Sequence, residues 1–134
     1  KNTACFGCPV ACYNYLYVPR AGATGGGDHN CALWLGAHNE VSWQARKLCD
    51  RLGINVYNPM TMTAWLQWLV AQGRMSEADI GLPVSQADSW RYAQELLYQI
   101  AYQRGIGAIL GQSMGRAAEE LGLLNEDEDK NQGK

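Results

Sequence analysis

Residues 41–53 read VSWQARKLCDRLG, and their spacing decides the fold class. Val41, Ala45, Leu48, Cys49 and Leu52 recur at three- and four-residue intervals, which places them on one face of an α-helix. Gly53 follows as a stop, because glycine enters the left-handed conformation that ends helices. Three further segments repeat this pattern. Asn58-Pro59 opens the second as a cap residue followed by proline at the first helical position, and the run MTMTAWLQWLVAQ continues to Gly73. A third starts near Asp88 and buries Ala93, Leu96, Leu97, Ile100 and Ala101 before Gly105. The fourth runs from about Gly107 to Leu121, with Ile109, Leu110, Met114, Ala117, Ala118 and Leu121 inward and Gly122 as its stop. No clear period-two alternation stands out. The expectation is an all-α domain of about four to five helices, preceded by an irregular first third rich in cysteine and glycine.

Composition bounds the function. The chain has 134 residues, suited to one domain, and is 47% hydrophobic and 18% charged, enough to bury a core. A net charge of −2 excludes a broad attraction to nucleic acid or anionic membrane. No run approaches the roughly 20 apolar residues of a membrane span. The polar start carries no signal peptide, and the first residue is not methionine. A cofactor-like motif at the start and a charged tail (NEDEDKNQGK) at the end suggest a domain of a longer subunit, with residues 123–134 as a polar linker or surface segment.

The first third holds ACFGCPVAC, with Cys5, Cys8 and Cys12 in a C-x2-C-x3-C spacing. Clustered thiols in a chain without a secretion signal point to metal ligation in a reducing, cytoplasmic setting rather than to disulfides. Short spacings suit an iron–sulfur cluster, where several thiolates converge on one small cube. Zinc is the competitor, but structural zinc sites usually draw two C-x2-C pairs, and no second pair exists here. The fourth ligand lies elsewhere. Cys31, beyond the glycine-rich stretch VPRAGATGGGDHN, is a candidate that geometry permits and does not require. Cys49 falls on a buried helix face and reads as a small core hydrophobe.

The order ACFGCPVAC, CALWLGAHNE, KLCDRLGINVY and AYQRGIGAILGQSMGRAAEELG resembles the middle, helical domain of the tungsten aldehyde:ferredoxin oxidoreductase family, over about residues 4–122. The resemblance implies that Cys5, Cys8 and Cys12 bind a [4Fe-4S] cluster whose fourth ligand comes from a later domain. It implies a tungsten bis-pyranopterin cofactor, and it places Asp50, Gly53, Ile54 and Asn55 on the family's D-x-x-G-L-(C/D) pterin motif. Ile54 stands for the usual leucine, and Asn55 for Asp or Cys. Aligned on Trp34, Cys31 stands where the aldehyde enzymes carry glutamate. A soft thiolate suits a metal already bonded to sulfur. Cys31 as a tungsten ligand resembles the active-site subunits of class II benzoyl-CoA reductases, which dearomatise benzoyl-CoA to a cyclic dienoyl-CoA without ATP hydrolysis. On that reading the glycine-rich stretch lets the backbone pass close to the cofactor. His29 and His38 flank Cys31 and are candidate proton donors, with Glu40 a weaker one. An iron–sulfur subunit or ferredoxin would be the electron partner, and an aromatic acyl-CoA the substrate. Two other readings stand beside this one: an aldehyde oxidoreductase, and an iron–sulfur electron-transfer module with Cys31 as fourth cluster ligand.

Overall fold

The computed structural model describes residues 2–3, 13–18, 23–27 and 40–123. Residues 40–123 are helical, in line with the all-α expectation. The helices are α1 (Glu40–Leu52), α2 (Tyr57–Ala71), α3 (Glu77–Ile80), α4 (Trp90–Ala101), α5 (Gly107–Leu110) and α6 (Met114–Glu120), with a 3₁₀ turn at Val84–Gln86.

The first third departs from the irregular chain expected of it. Three short strands, β1 (Asn2–Thr3), β2 (Tyr13–Val18) and β3 (Ala23–Gly27), form an antiparallel sheet in the order β1-β2-β3. Thr3 pairs with Tyr13, Tyr15 with Gly26 and Leu16 with Gly25. The signal was in the sequence: YNYLYV places tyrosine at every second position, and aromatic and β-branched residues favour strands. Gly25, Gly26 and Gly27, in the glycine-rich stretch noted above, belong to β3. Ladder hydrogen bonds use the backbone alone, so glycine can pair where its neighbour strand supplies the propensity.

The helices enclose one core. Ala45, Leu48 and Cys49 of α1 meet Leu66 and Leu69 of α2 and Leu96 and Leu97 of α4 in one buried cluster, which Leu110 and Ala117 extend. The proposed inward face of α1 therefore holds, and Cys49 is fully buried within it.

Two helix boundaries differ from the sequence reading. α2 begins at Tyr57, not Pro59, and Asn58 does not cap it. Instead the Tyr57 N–H donates to Oδ1 of Asn55 at 3.0 Å. Pro59 sits in the first turn, where its missing N–H is one of the four that lack a helical partner. The fourth helix is two helices. The chain leaves α5 at Gly111, and Ser113 starts α6 by accepting the Arg116 N–H at 3.1 Å. A serine hydroxyl competes well for an early helical N–H, so a strong cap inside an apolar pattern divides it. The region 74–87 holds α3, which Ser76 and Asp79 close with a capping box. Both hydrogen bonds from Ser76 hold the Asp79 carboxyl below its ordinary range.

Candidate functional site

The end of α1 gathers the four residues assigned to the pterin motif. Gly53 adopts φ +69°, the left-handed conformation. Its N–H donates to the Asp50 carbonyl at 3.4 Å, and the Ile54 N–H donates to the Cys49 carbonyl at 2.9 Å. This bond pair is a Schellman closure, with Gly53 as the residue after the cap and Ile54 next. Ile54 is half-buried against the core, the hydrophobic contact that accompanies such closures. Asn55 spends its side-chain oxygen on the start of α2 and keeps its amide N–H₂ as a donor. Gly53, Ile54 and Asn55 thus all serve the turn between α1 and α2.

Asp50 is different. Its side chain is 59% exposed, and it faces Nε of the buried Arg46 at 3.8 Å, one helical turn earlier. No fold contact uses up the carboxylate, so its oxygens can accept hydrogen bonds from a ligand. Space is open beyond Gly53, where an added Cβ would meet nothing within 4 Å. A carboxylate acceptor at the end of α1, an amide donor five residues on and open space at Gly53 suit the N–H-rich edge of a pterin, so the residues present fit that group.

Beside Asp50, Cys49 illustrates the contrast. Burial, with a lesser contribution from the Asp50 charge, pushes its thiol up from 9.0 to about 12. It is a neutral core side chain and no candidate ligand, as the sequence reading held. Glu40 opens α1 and accepts a hydrogen bond from Nε2 of Gln44 at 3.0 Å, in the first turn where the helix dipole favours a negative charge.

Cys5, Cys8, Cys12, Cys31, His29 and His38 lie outside the described residues. Among the described residues no group of three His, Cys, Asp or Glu side chains could hold a metal ion, and no helix is long and apolar enough to cross a membrane.

Sequence reasoning missed one feature. Asp50 opens onto a groove of about 640 Å³ between α1 and α4, lined by Trp43, Lys47, Arg51, Trp90 and Tyr98. Half of this lining was discoverable: positions 43, 47, 50 and 51 share one helical face. The α4 half was not, because only packing brings Trp90 and Tyr98 opposite.

Comparison with known proteins places this geometry in context. The family model described as "Aldehyde ferredoxin oxidoreductase, domains 2 & 3" matches residues 1–130. The chain is 25% identical over 128 residues to the tungsten-containing aldehyde ferredoxin oxidoreductase of Pyrococcus furiosus, covering 91% of this chain and 21% of that protein. The protein of the same name from Pyrococcus horikoshii is 27% identical over 132 residues, covering 92% of this chain and 22% of its own length. A third relative, the aliphatic sulfonate oxidoreductase, WOR-like subunit, of Pyrococcus furiosus, is 27% identical over 128 residues, at 88% of this chain and 20% of its own. The chain therefore spans about one fifth of the length of the curated relatives it matches. No solved structure matches.

Proposed function

The chain belongs to the aldehyde ferredoxin oxidoreductase family, and on that premise we propose that residues 1–134 are the helical cofactor-binding domain of a tungsten bis-pyranopterin, [4Fe-4S] oxidoreductase that reductively dearomatises benzoyl-CoA to a cyclic dienoyl-CoA. The observation that carries the cofactor assignment is Asp50: its carboxylate is exposed and makes only a 3.8 Å ion pair, while Gly53, Ile54 and Asn55 build the turn. The tungsten-containing relatives support the choice of metal. The benzoyl-CoA branch rests on Cys31 standing in place of glutamate.

When bound, the tungsten–pterin group supplies redox chemistry at low potential, and the protein holds, insulates and tunes it. Asp50 would accept hydrogen bonds from the pterin edge, and Cys31 would offer a thiolate to tungsten. Cys5, Cys8 and Cys12 would supply three thiolates to the cluster, the fourth coming from another part of the longer subunit. His29 or His38 would hold the proton delivered to the substrate. A ferredoxin or iron–sulfur subunit would be the electron partner, and a reducing, cytoplasmic setting would keep the thiolates competent. Residues 123–134 would link this domain to the next.

Aldehyde oxidation is the second reading, favoured by the names of the two Pyrococcus aldehyde ferredoxin oxidoreductases. An iron–sulfur module without catalysis is the third. Metal and acid-labile sulfide analysis of the full-length subunit, purified without oxygen, separates them from the first. Tungsten with about four irons per chain, together with dye-linked reduction of benzoyl-CoA, supports the proposal. Tungsten with aldehyde oxidation and no benzoyl-CoA turnover moves the assignment to the second reading. Iron without tungsten, and loss of the cluster in Cys31→Ser, leaves the electron-transfer module.

A further inference from the structure

The groove between α1 and α4 combines features that the pterin motif does not require. Trp43 and Tyr98 line it with aromatic rings, and the half-buried Trp90 belongs to the same lining. Tyr98 is 37% exposed and presents ring surface for stacking. Lys47 and Arg51 lie four residues apart on α1 and both line the groove. Lys47 holds its ammonium 5.0 Å from the Trp43 ring centroid. Among the described residues, neither cation has a carboxylate partner: the ion pair in this region joins Asp50 to Arg46. Asp50 is the one carboxylate in the lining, against the two cations Lys47 and Arg51, so the lining carries a net positive charge. Tyr98 also borders a second hollow of about 360 Å³, where Arg104 packs 5.6 Å from the Tyr102 ring. A third cation therefore stands beyond the same aromatic wall.

Two cations spaced one helical turn apart suit a diphosphate, which offers anionic oxygens over a similar span. Tyr98, with the Tyr102 ring 5.9 Å away, suits a planar heteroaromatic base on its exposed surface, since stacking needs only a π-face. Gln94 lines the groove as well and carries both a donor and an acceptor for a base edge. The volume falls within the range of small-ligand sites, about 300–1,000 Å³.

From these features we infer that the α1–α4 groove binds a nucleoside diphosphate group, with Lys47 and Arg51 on the phosphates and Tyr98 stacking on the base. The binding chemistry is read from the groove, and the choice between its two sources rests on the proposed function. Two sources carry the chemistry: the nucleotide end of an acyl-CoA substrate, or a phosphorylated heteroaromatic arm of the cofactor.

The test titrates adenosine diphosphate into the full-length subunit, cofactor-loaded and cofactor-free, following tryptophan fluorescence. Saturable binding to both forms supports a nucleotide-bearing substrate. Binding to the cofactor-free form alone supports occupancy of the groove by the cofactor's arm. In either case Lys47→Ala and Arg51→Ala should each weaken binding about tenfold, the loss of one charged hydrogen bond, while Lys47→Arg largely restores it. Arg116→Ala, on α6 and not among the residues lining the groove, should change nothing. No saturable binding in either form, or binding indifferent to Lys47 and Arg51, overturns the inference. Tungsten content is read separately, so a failed nucleotide site and a failed tungsten assignment are distinguishable.

Discussion

The N–H of Ile54 donates to the carbonyl of Cys49 at 2.9 Å, so a buried core residue and the turn beside the candidate pterin contact are joined by one backbone bond. That bond exists because Gly53 sits at φ +69°. Gly53→Ala meets no steric neighbour within 4 Å, so its cost is the left-handed backbone alone, about 1 kcal/mol. Gly53→Asn should cost less, because asparagine tolerates this conformation. Thermal unfolding of the three proteins, read side by side, checks the order Gly, Asn, Ala.

Asp50→Asn probes the proposed cofactor contact. The ion pair to Arg46 is long at 3.8 Å and the carboxylate is mostly exposed, so stability should change by less than about 1 kcal/mol. Tungsten bound per chain should fall. Unchanged tungsten in a stably folded Asp50→Asn protein would remove Asp50 from the cofactor site.

Gly107 is where α5 meets the end of α4. A Cβ there would lie 2.1 Å from the Gln99 carbonyl carbon and 2.4 Å from the Ile100 nitrogen, both backbone atoms. Gly107→Ala must therefore move a helix, at a cost of roughly 3 kcal/mol or more. Gly115→Ala gives the comparison. Its nearest neighbour would be Ser113 Oγ at 3.9 Å, so the gain in helix propensity should show, at about 0.5–1 kcal/mol. Equal unfolding midpoints for the two variants would contradict this packing.

Tyr92, Thr63 and Pro59 form a buried relay. The Tyr92 hydroxyl donates to Thr63 Oγ1 at 3.3 Å, and that hydroxyl donates to the Pro59 carbonyl at 2.7 Å. Thr63→Val keeps the shape and deprives both neighbours of their bond, so it should cost about 1–3 kcal/mol in denaturant unfolding.

Alkaline stability follows from two buried acids. Burial pushes Cys49 up from 9.0 to about 12 and Tyr92 up from 10.0 to about 12. In the unfolded chain both lose their protons first. Between pH 9 and 12 the folded state therefore holds more protons than the unfolded state, and stability falls as pH rises. Well below pH 9 both groups are protonated in both states and contribute no slope. Cys49→Ala should flatten the decline that begins near pH 9, measured as unfolding midpoint against pH. Under native conditions at neutral pH, iodoacetamide should leave Cys49 unmodified, since the thiolate is the nucleophile.

Local pattern alone settled the helical class of residues 40–123, the inward face of α1, the burial of Cys49 and the glycine stop at Gly53, because side-chain periodicity and left-handed caps are properties of neighbouring residues. The cysteine spacing is a local pattern too, and the cluster read from it rests on residues outside the described ones. Two local signals were legible and outweighed: alternating tyrosines in β2 lost to the nearby glycines, and the Ser113 cap lost to the apolar run around it. Tertiary structure decided the rest. Only packing shows that Gly53, Ile54 and Asn55 are occupied in building a turn while Asp50 is left exposed. Only the meeting of α1 and α4 sets Tyr98 and Trp90 opposite Lys47 and Arg51, since residues so far apart in the chain share no local pattern and are joined by the burial of a common core.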